Sequence, residues 1–157
     1  MEIYFGYDKK QVIQALRYHF ISRPEVKILL IVVNVFTIIS ASLFFFRKVS
    51  PLAFLVASLL WMVLMISFWF ILPKTVYKRA STFRDTFKMS FSEHHVLLEN
   101  ARGQMQWAWK NFSRFVESPH FFHLYFDSRS FFLVPKAALE DNERTDLRQL
   151  FKEKIGE

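Results

Sequence analysis

Two uncharged apolar runs, Ile28–Phe46 and Leu52–Leu72, are separated by only Arg47, Lys48, Val49, Ser50 and Pro51. At ~1.5 Å of rise per residue, helices over these nineteen and twenty-one residues span roughly 28 and 31 Å, about the thickness of a bilayer's hydrocarbon core. A helix buried in a soluble domain keeps a polar stripe toward water, and neither run has one. The expectation is a helical hairpin across a membrane. A cleaved signal peptide fits poorly, because its apolar stretch of about 7–15 residues starts close to the N-terminus. Here 27 residues precede the first run, and Leu43–Phe46 carries it past the small Ser40-Ala41-Ser42 step.

A chain of 157 residues with 45 in the hairpin segment 28–72 has room for one small folded domain. Thirteen of its twenty Phe lie outside the two runs, enough to build an aromatic core there. Cys is absent, which removes disulfides, a thiolate nucleophile and Cys-based metal sites.

The net charge of +7 invites a nucleic-acid reading, but its distribution argues against one. Residues 1–27 carry five basic and three acidic side chains, residues 73–92 five and one, and everything from Glu93 onward nine and ten. The positive charge hugs the hairpin, as expected beside anionic headgroups. Ten basic residues on the two flanks against two in the loop place both termini in the cytoplasm by the positive-inside rule. Arg23, Lys27, Lys74, Lys78 and Arg79 are the expected membrane-boundary cations, and Pro73 the expected exit of the second helix. Ser40-Ala41-Ser42 and Ala57-Ser58 fall at matched depth, which favours close helix packing. Without Asp, Glu, Lys, Arg or His in either run, the hairpin reads as an anchor rather than an ion path. Asn34, its one strongly polar side chain, can bond within the hairpin or bridge to a second copy.

Before the hairpin, Ile3, Phe5 and Tyr7 alternate as in a strand, and Asp8 can cap a helix from Lys9 to about Ser22. That helix either lies in the headgroup layer or packs on the C-terminal domain. After Arg79 the apolar period is two. Phe87, Met89 and Phe91 alternate, Val96–Leu98 follows a turn near Ser92-Glu93, and Gly103 marks a hairpin before Met105, Trp107 and Trp109. Phe112, Phe115, Phe121–Phe126 and Phe131–Val134 supply further strands, and Leu147, Leu150, Phe151 and Ile155 recur at helical spacing after Asp141-Asn142-Glu143. Five or so antiparallel strands closed by a C-terminal helix make an α+β domain. The segments read as 1–27, a strand and amphipathic helix; 28–72, the transmembrane hairpin; and 78–157, the sheet domain.

The order Trp109-Lys110-Asn111-Phe112, Phe115-Val116-Glu117, His120–Phe126, Phe131–Val134-Pro135-Lys136 and a terminal helix resembles the YcxB-like family. The resemblance implies a small bacterial membrane protein with a helical hairpin and a C-terminal pleckstrin-homology-like domain. It implies no activity, and Trp107 stands where an aliphatic strand residue is more typical.

His94-His95 and His120-x-x-His123 are the histidine clusters, but strand residues one or three apart point to opposite faces and neither pair chelates alone. There is no nucleophile elbow or glycine-rich phosphate loop, and Glu140–Glu143 with Asp146 reads as a helix N-terminus. No catalytic, cofactor or metal residue is assigned. Trp107, Trp109 and Arg114 are the candidate partner surface, with a core role the main alternative for Trp109. The expected function is a non-catalytic, membrane-anchored cytoplasmic interaction domain in the bacterial inner membrane. Its partner would be a protein, a lipid or a second copy. The alternative is a regulatory or protective subunit of a membrane enzyme or toxin, acting through the hairpin.

Overall fold

The computed structural model describes residues 1–156, which form two compact units. One joins Met1–Ala15 to residues 81–156, and the other is Leu16–Ala80.

The first unit contains two antiparallel sheets. Strands β1 (Glu2–Phe5), β2 (Phe87–Phe91), β3 (His95–Asn100) and β4 (Gly103–Ala108) form one, in that spatial order. Strands β5 (Arg114–Glu117), β6 (Phe121–Tyr125) and β7 (Phe131–Pro135) form the other. Alternation decides the faces: Phe87, Met89 and Phe91 of β2 are buried while Lys88 and Ser90 lie between them. Ile3 and Phe5 of β1 meet Met89 and Phe87 in register, so the N-terminal strand is part of this sheet. The strand read at the start of segment 1–27 thus has its hydrogen-bond partner beyond the hairpin, in β2. The first turns of α1 (Lys9–Ser22) follow, capped as expected by Asp8, whose Oδ1 accepts from the Gln11 amide at 3.0 Å. Val12 and Ala15 on that part of α1 are buried.

The C-terminal helix, α5 (Asp141–Lys154), opens with a reciprocal capping box between Glu140 and Glu143, so the acidic cluster is a helix start. Leu147 and Phe151 of α5 are fully buried. Phe151 touches the rings of Phe91 from the first sheet, Phe115 and Phe122 from the second, and Trp109 just beyond β4. Two open antiparallel sheets with a C-terminal helix across their shared core are consistent with a pleckstrin-homology-like fold. Among the described residues, six strands follow the hairpin where five or so were expected, and β1 joins them as a seventh.

In the second unit, α2 (Pro24–Phe45) and α3 (Pro51–Ile66) are joined by a tight loop with Arg47 at φ 57°. Each starts with proline in its first turn, where a missing N–H leaves nothing unpaired. Ser50 caps α3 by accepting from the Ala53 amide. The two helices lie side by side, with Phe44 stacked on Phe54 and the Trp61 indole donating to Asn34 Oδ1 at 3.4 Å. The Asn34 amide donates in turn to Leu30 O within its own helix. Ser40, Ala57 and Ser58 line one groove of about 310 Å³ between the helices.

The second helix does not end at Pro73. After α3 it passes through a π-helical turn, Ser67–Ile71, and continues as α4 (Leu72–Arg79). Proline in a helix removes a hydrogen bond to the carbonyl four residues earlier and crowds it. That carbonyl, on Trp69, accepts instead from Arg17 Nε at 2.8 Å, and the wider turn makes room for the ring. The two continuous helices, Pro24–Phe45 and Pro51–Arg79, are long and apolar enough to cross a membrane, with mean hydropathies of 2.6 and 2.5. None of the residues in their most apolar stretches is buried, unlike those of a soluble protein's core helix.

Candidate partner surface

Strand β4 is an edge of its sheet, and its residues Gly103 to Gln106 are exposed. Gly103 begins it at φ +153°, and Asn100 Oδ1 secures the preceding turn by accepting from the Arg102 and Gly103 amides. Met105 lies opposite Leu98 of β3, on the core-facing side of the pleat, yet it is 59% exposed. The second sheet does not extend over it. Met105, Leu98, Trp107, Phe132, Asp85 and Arg102 line a groove of about 450 Å³. Arg102 closes one rim, its Nη2 donating to both carboxylate oxygens of Asp85 at 2.7 and 2.8 Å.

Trp107 is half-buried in the wall of this groove, its ring 5.3–6.2 Å from Phe126, Phe132 and Phe112. Trp109 behaves differently. The strand ends at Ala108, and a 3-10 turn (Trp109–Asn111) carries the indole into the core between Phe91, Phe112 and Phe151. It is 6% exposed, and its Nε1 donates to Ser92 O at 2.9 Å. Trp109 is thus removed from the expected surface, because a buried indole N–H needs a partner and finds one on the β2–β3 turn. Arg114 is exposed at the start of β5 with its guanidinium over the Tyr125 ring at 4.6 Å. Of the three expected residues, only Trp107 lines the groove. Met105 was missed: alternation placed it on the core side, and only the sheet order reveals that it sits on an edge.

A second polar cluster holds α5. Glu117, at the end of β5, accepts from Arg148 Nε and Nη2 at 2.7 and 2.8 Å and pairs with Lys136 Nζ at 2.6 Å. These bonds hold its carboxyl at a pKa of about 2, with the Arg148 bonds the largest cause. Lys136 and Arg148 also lie over the face of Phe122, at 5.2 and 5.9 Å.

The histidines are dispersed. His94 is exposed on a turn, whereas His123 is fully buried in β6 with Nε2 2.9 Å from the Ser118 hydroxyl. Of the expected boundary cations, all in the second unit, Arg23 pairs with Glu25 at 3.7 Å and Lys74 lies over Phe70 at 6.0 Å. Lys27 is in the first turn of α2, and Lys78 and Arg79 end α4.

The stretch from Phe91 in β2 to Phe151 in α5 carries Leu98, Met105, Trp107 and Phe132 of the groove, the buried Trp109 and the whole Glu117 cluster. Residues 91–151 match the YcxB-like protein family. The YcxB-like segment is 61 of the chain's 157 residues, and the hairpin and β1 lie outside it. Within this segment Trp109 and Phe112 pack at 6.2 Å in the core, and Lys136 pairs with Glu117. No curated protein and no solved structure matches the chain.

Proposed function

We propose that this chain is a membrane-anchored interaction module: the hairpin fixes the sheet domain at the cytoplasmic face of a bacterial inner membrane, and a partner protein docks along β4. The observation that carries the anchoring is the pairing of β1 with β2. Glu2 faces Ser90 and Phe5 faces Phe87 in one sheet, although the hairpin separates them in sequence. Chain that leaves this sheet, crosses a bilayer and returns to the same sheet must cross an even number of times. The two long apolar helices provide that number. The ten flanking basic residues against two in the loop favour the cytoplasmic side. Anchoring confines the domain near other membrane proteins, so a modest groove with one exposed methionine and a half-buried tryptophan suffices for association.

The reading makes the domain a binder without catalysis. A photoreactive residue at Met105 of the full chain, illuminated in intact cells, is expected to give one discrete cross-linked protein, while the same residue at Lys152 on α5 gives none. Equal labelling from both positions overturns the β4 assignment. Accessibility of the C-terminus to protease added outside intact cells overturns the placement.

A further inference from the structure

The anchor carries a feature that the docking reading does not use. Arg17 and Lys74 flank the same aromatic ring: the Arg17 guanidinium lies 5.4 Å from the centroid of Phe70 and the Lys74 ammonium 6.0 Å. Arg17 also covers Trp69, at 5.3 Å. Its Nε is occupied by the carbonyl that Pro73 leaves without an amide, which fixes the fork and leaves Nη1 and Nη2 to donate elsewhere. Among the described residues neither cation has a carboxylate partner, whereas Arg23 has Glu25 and Arg102 has Asp85. Trp69 and Phe70 are both exposed, at the end of the apolar stretch where the helix becomes basic. Two unneutralised cations on an exposed aromatic ledge at that level meet the phosphate layer of a bilayer.

We infer that Arg17 and Lys74 form a headgroup site for one anionic phospholipid, with Phe70 beneath the phosphate and Trp69 beside it. The phosphate accepts from the Arg17 fork and the Lys74 ammonium, and the acyl chains run along the outer face of the second helix. Such a lipid supplies the charge that the chain itself withholds. It would hold the second half of α1 in place from the membrane side.

The test uses the full chain in mild detergent micelles doped with phosphatidylglycerol, read by native mass spectrometry as the fraction retaining one lipid. Lys74→Gln, which removes a cation with no hydrogen bond or ion pair among the described residues, is expected to weaken retention about fivefold. Arg17→Lys keeps most of it, and Lys48→Gln, in the loop at the other end of the hairpin, changes nothing. Phosphatidylcholine, with no net charge, is expected to be retained less than phosphatidylglycerol. Unchanged retention in Lys74→Gln, an equal loss in Lys48→Gln, or equal retention of phosphatidylcholine overturns the site. Lys74-dependent binding of inorganic phosphate without retention of phosphatidylglycerol overturns the lipid assignment.

Discussion

Replacing Glu117 with Gln keeps the shape of the side chain and removes the charge that Arg148 and Lys136 share. The carboxyl drops from an ordinary value of 4.5 to about 2 in the folded protein, a difference of about 2.5 units. At 1.36 kcal/mol per unit this sets a ceiling of roughly 3.4 kcal/mol. The cluster is partly open to water, with 30% of the Glu117 side chain and 37% of the Arg148 side chain exposed. Solvent screening reduces the contribution to about 1.5 kcal/mol. For a unit of this size that corresponds to a melting temperature lower by about 6–12 °C at pH 7. Because the folded carboxyl is depressed, its contribution is complete above pH ~4.5 and fades as pH falls toward 2. The melting temperatures of wild type and E117Q, followed by near-UV circular dichroism of the full chain in detergent, should therefore differ at pH 7. They should converge steadily below pH ~4.5. Carboxylates elsewhere, such as Asp127, which is lowered by the Arg129 and Ser130 amides, titrate in both proteins and cancel in the difference. A gap that is absent at pH 7, or that stays constant down to pH 3, refutes the argument that this carboxylate secures α5.

Trp109→Phe removes the indole bond to Ser92 O and should lower stability by ~1–2 kcal/mol, while Trp109→Ala, which also opens a cavity, should cost ~3–5 kcal/mol; denaturant titration of the full chain distinguishes them. Met105→Glu should abolish partner cross-linking from a photoreactive residue moved to the neighbouring Gln104, which also lines the groove, while shifting the unfolding free energy by less than ~0.5 kcal/mol, because the Met105 side chain is exposed. Arg17→Met should speed amide exchange around Trp69. Adding Pro73→Ala, which returns an N–H to that carbonyl, should recover most of the loss, and a double-mutant cycle with no coupling would separate the two residues.

Much of this fold is written in local periodicity. Both apolar runs appear as helices, the first within a few residues of its ends, and the turn at Gly103 and the alternation of Phe87, Met89 and Phe91 are where period and turn chemistry place them. What local pattern does not carry is which edge pairs with which. Nothing in Glu2–Phe5 says that its partner lies beyond the hairpin, and nothing in Gln104-Met105-Gln106 says that β4 has no outer neighbour. Pro73 was misjudged for a related reason: its ordinary effect is to stop a helix, and the rescue comes from Arg17, more than fifty residues earlier in the chain. Trp109 reads as a strand residue because Met105 and Trp107 precede it at period two. The strand ends one residue before it, so its core position is set by the 3-10 turn and by Phe151. The Glu117 cluster combines three distant segments. Its members are individually unremarkable in sequence.

The pairing of β1 with β2 also fixes an order of events during synthesis. Residues 2–5 emerge first but cannot complete their ladder until Phe87–Phe91 has been made, after both apolar helices have left the ribosome. The sheet can close only when the hairpin has been inserted or set aside, and loop closure over that separation makes the step slow. A fragment beginning near residue 78 would present β2 as a bare edge and lack Ile3 and Phe5 from its core. Such a fragment is poised to pair with its own copies, so a soluble truncation of this protein should keep the N-terminal strand, fused ahead of Ser81 by a short linker.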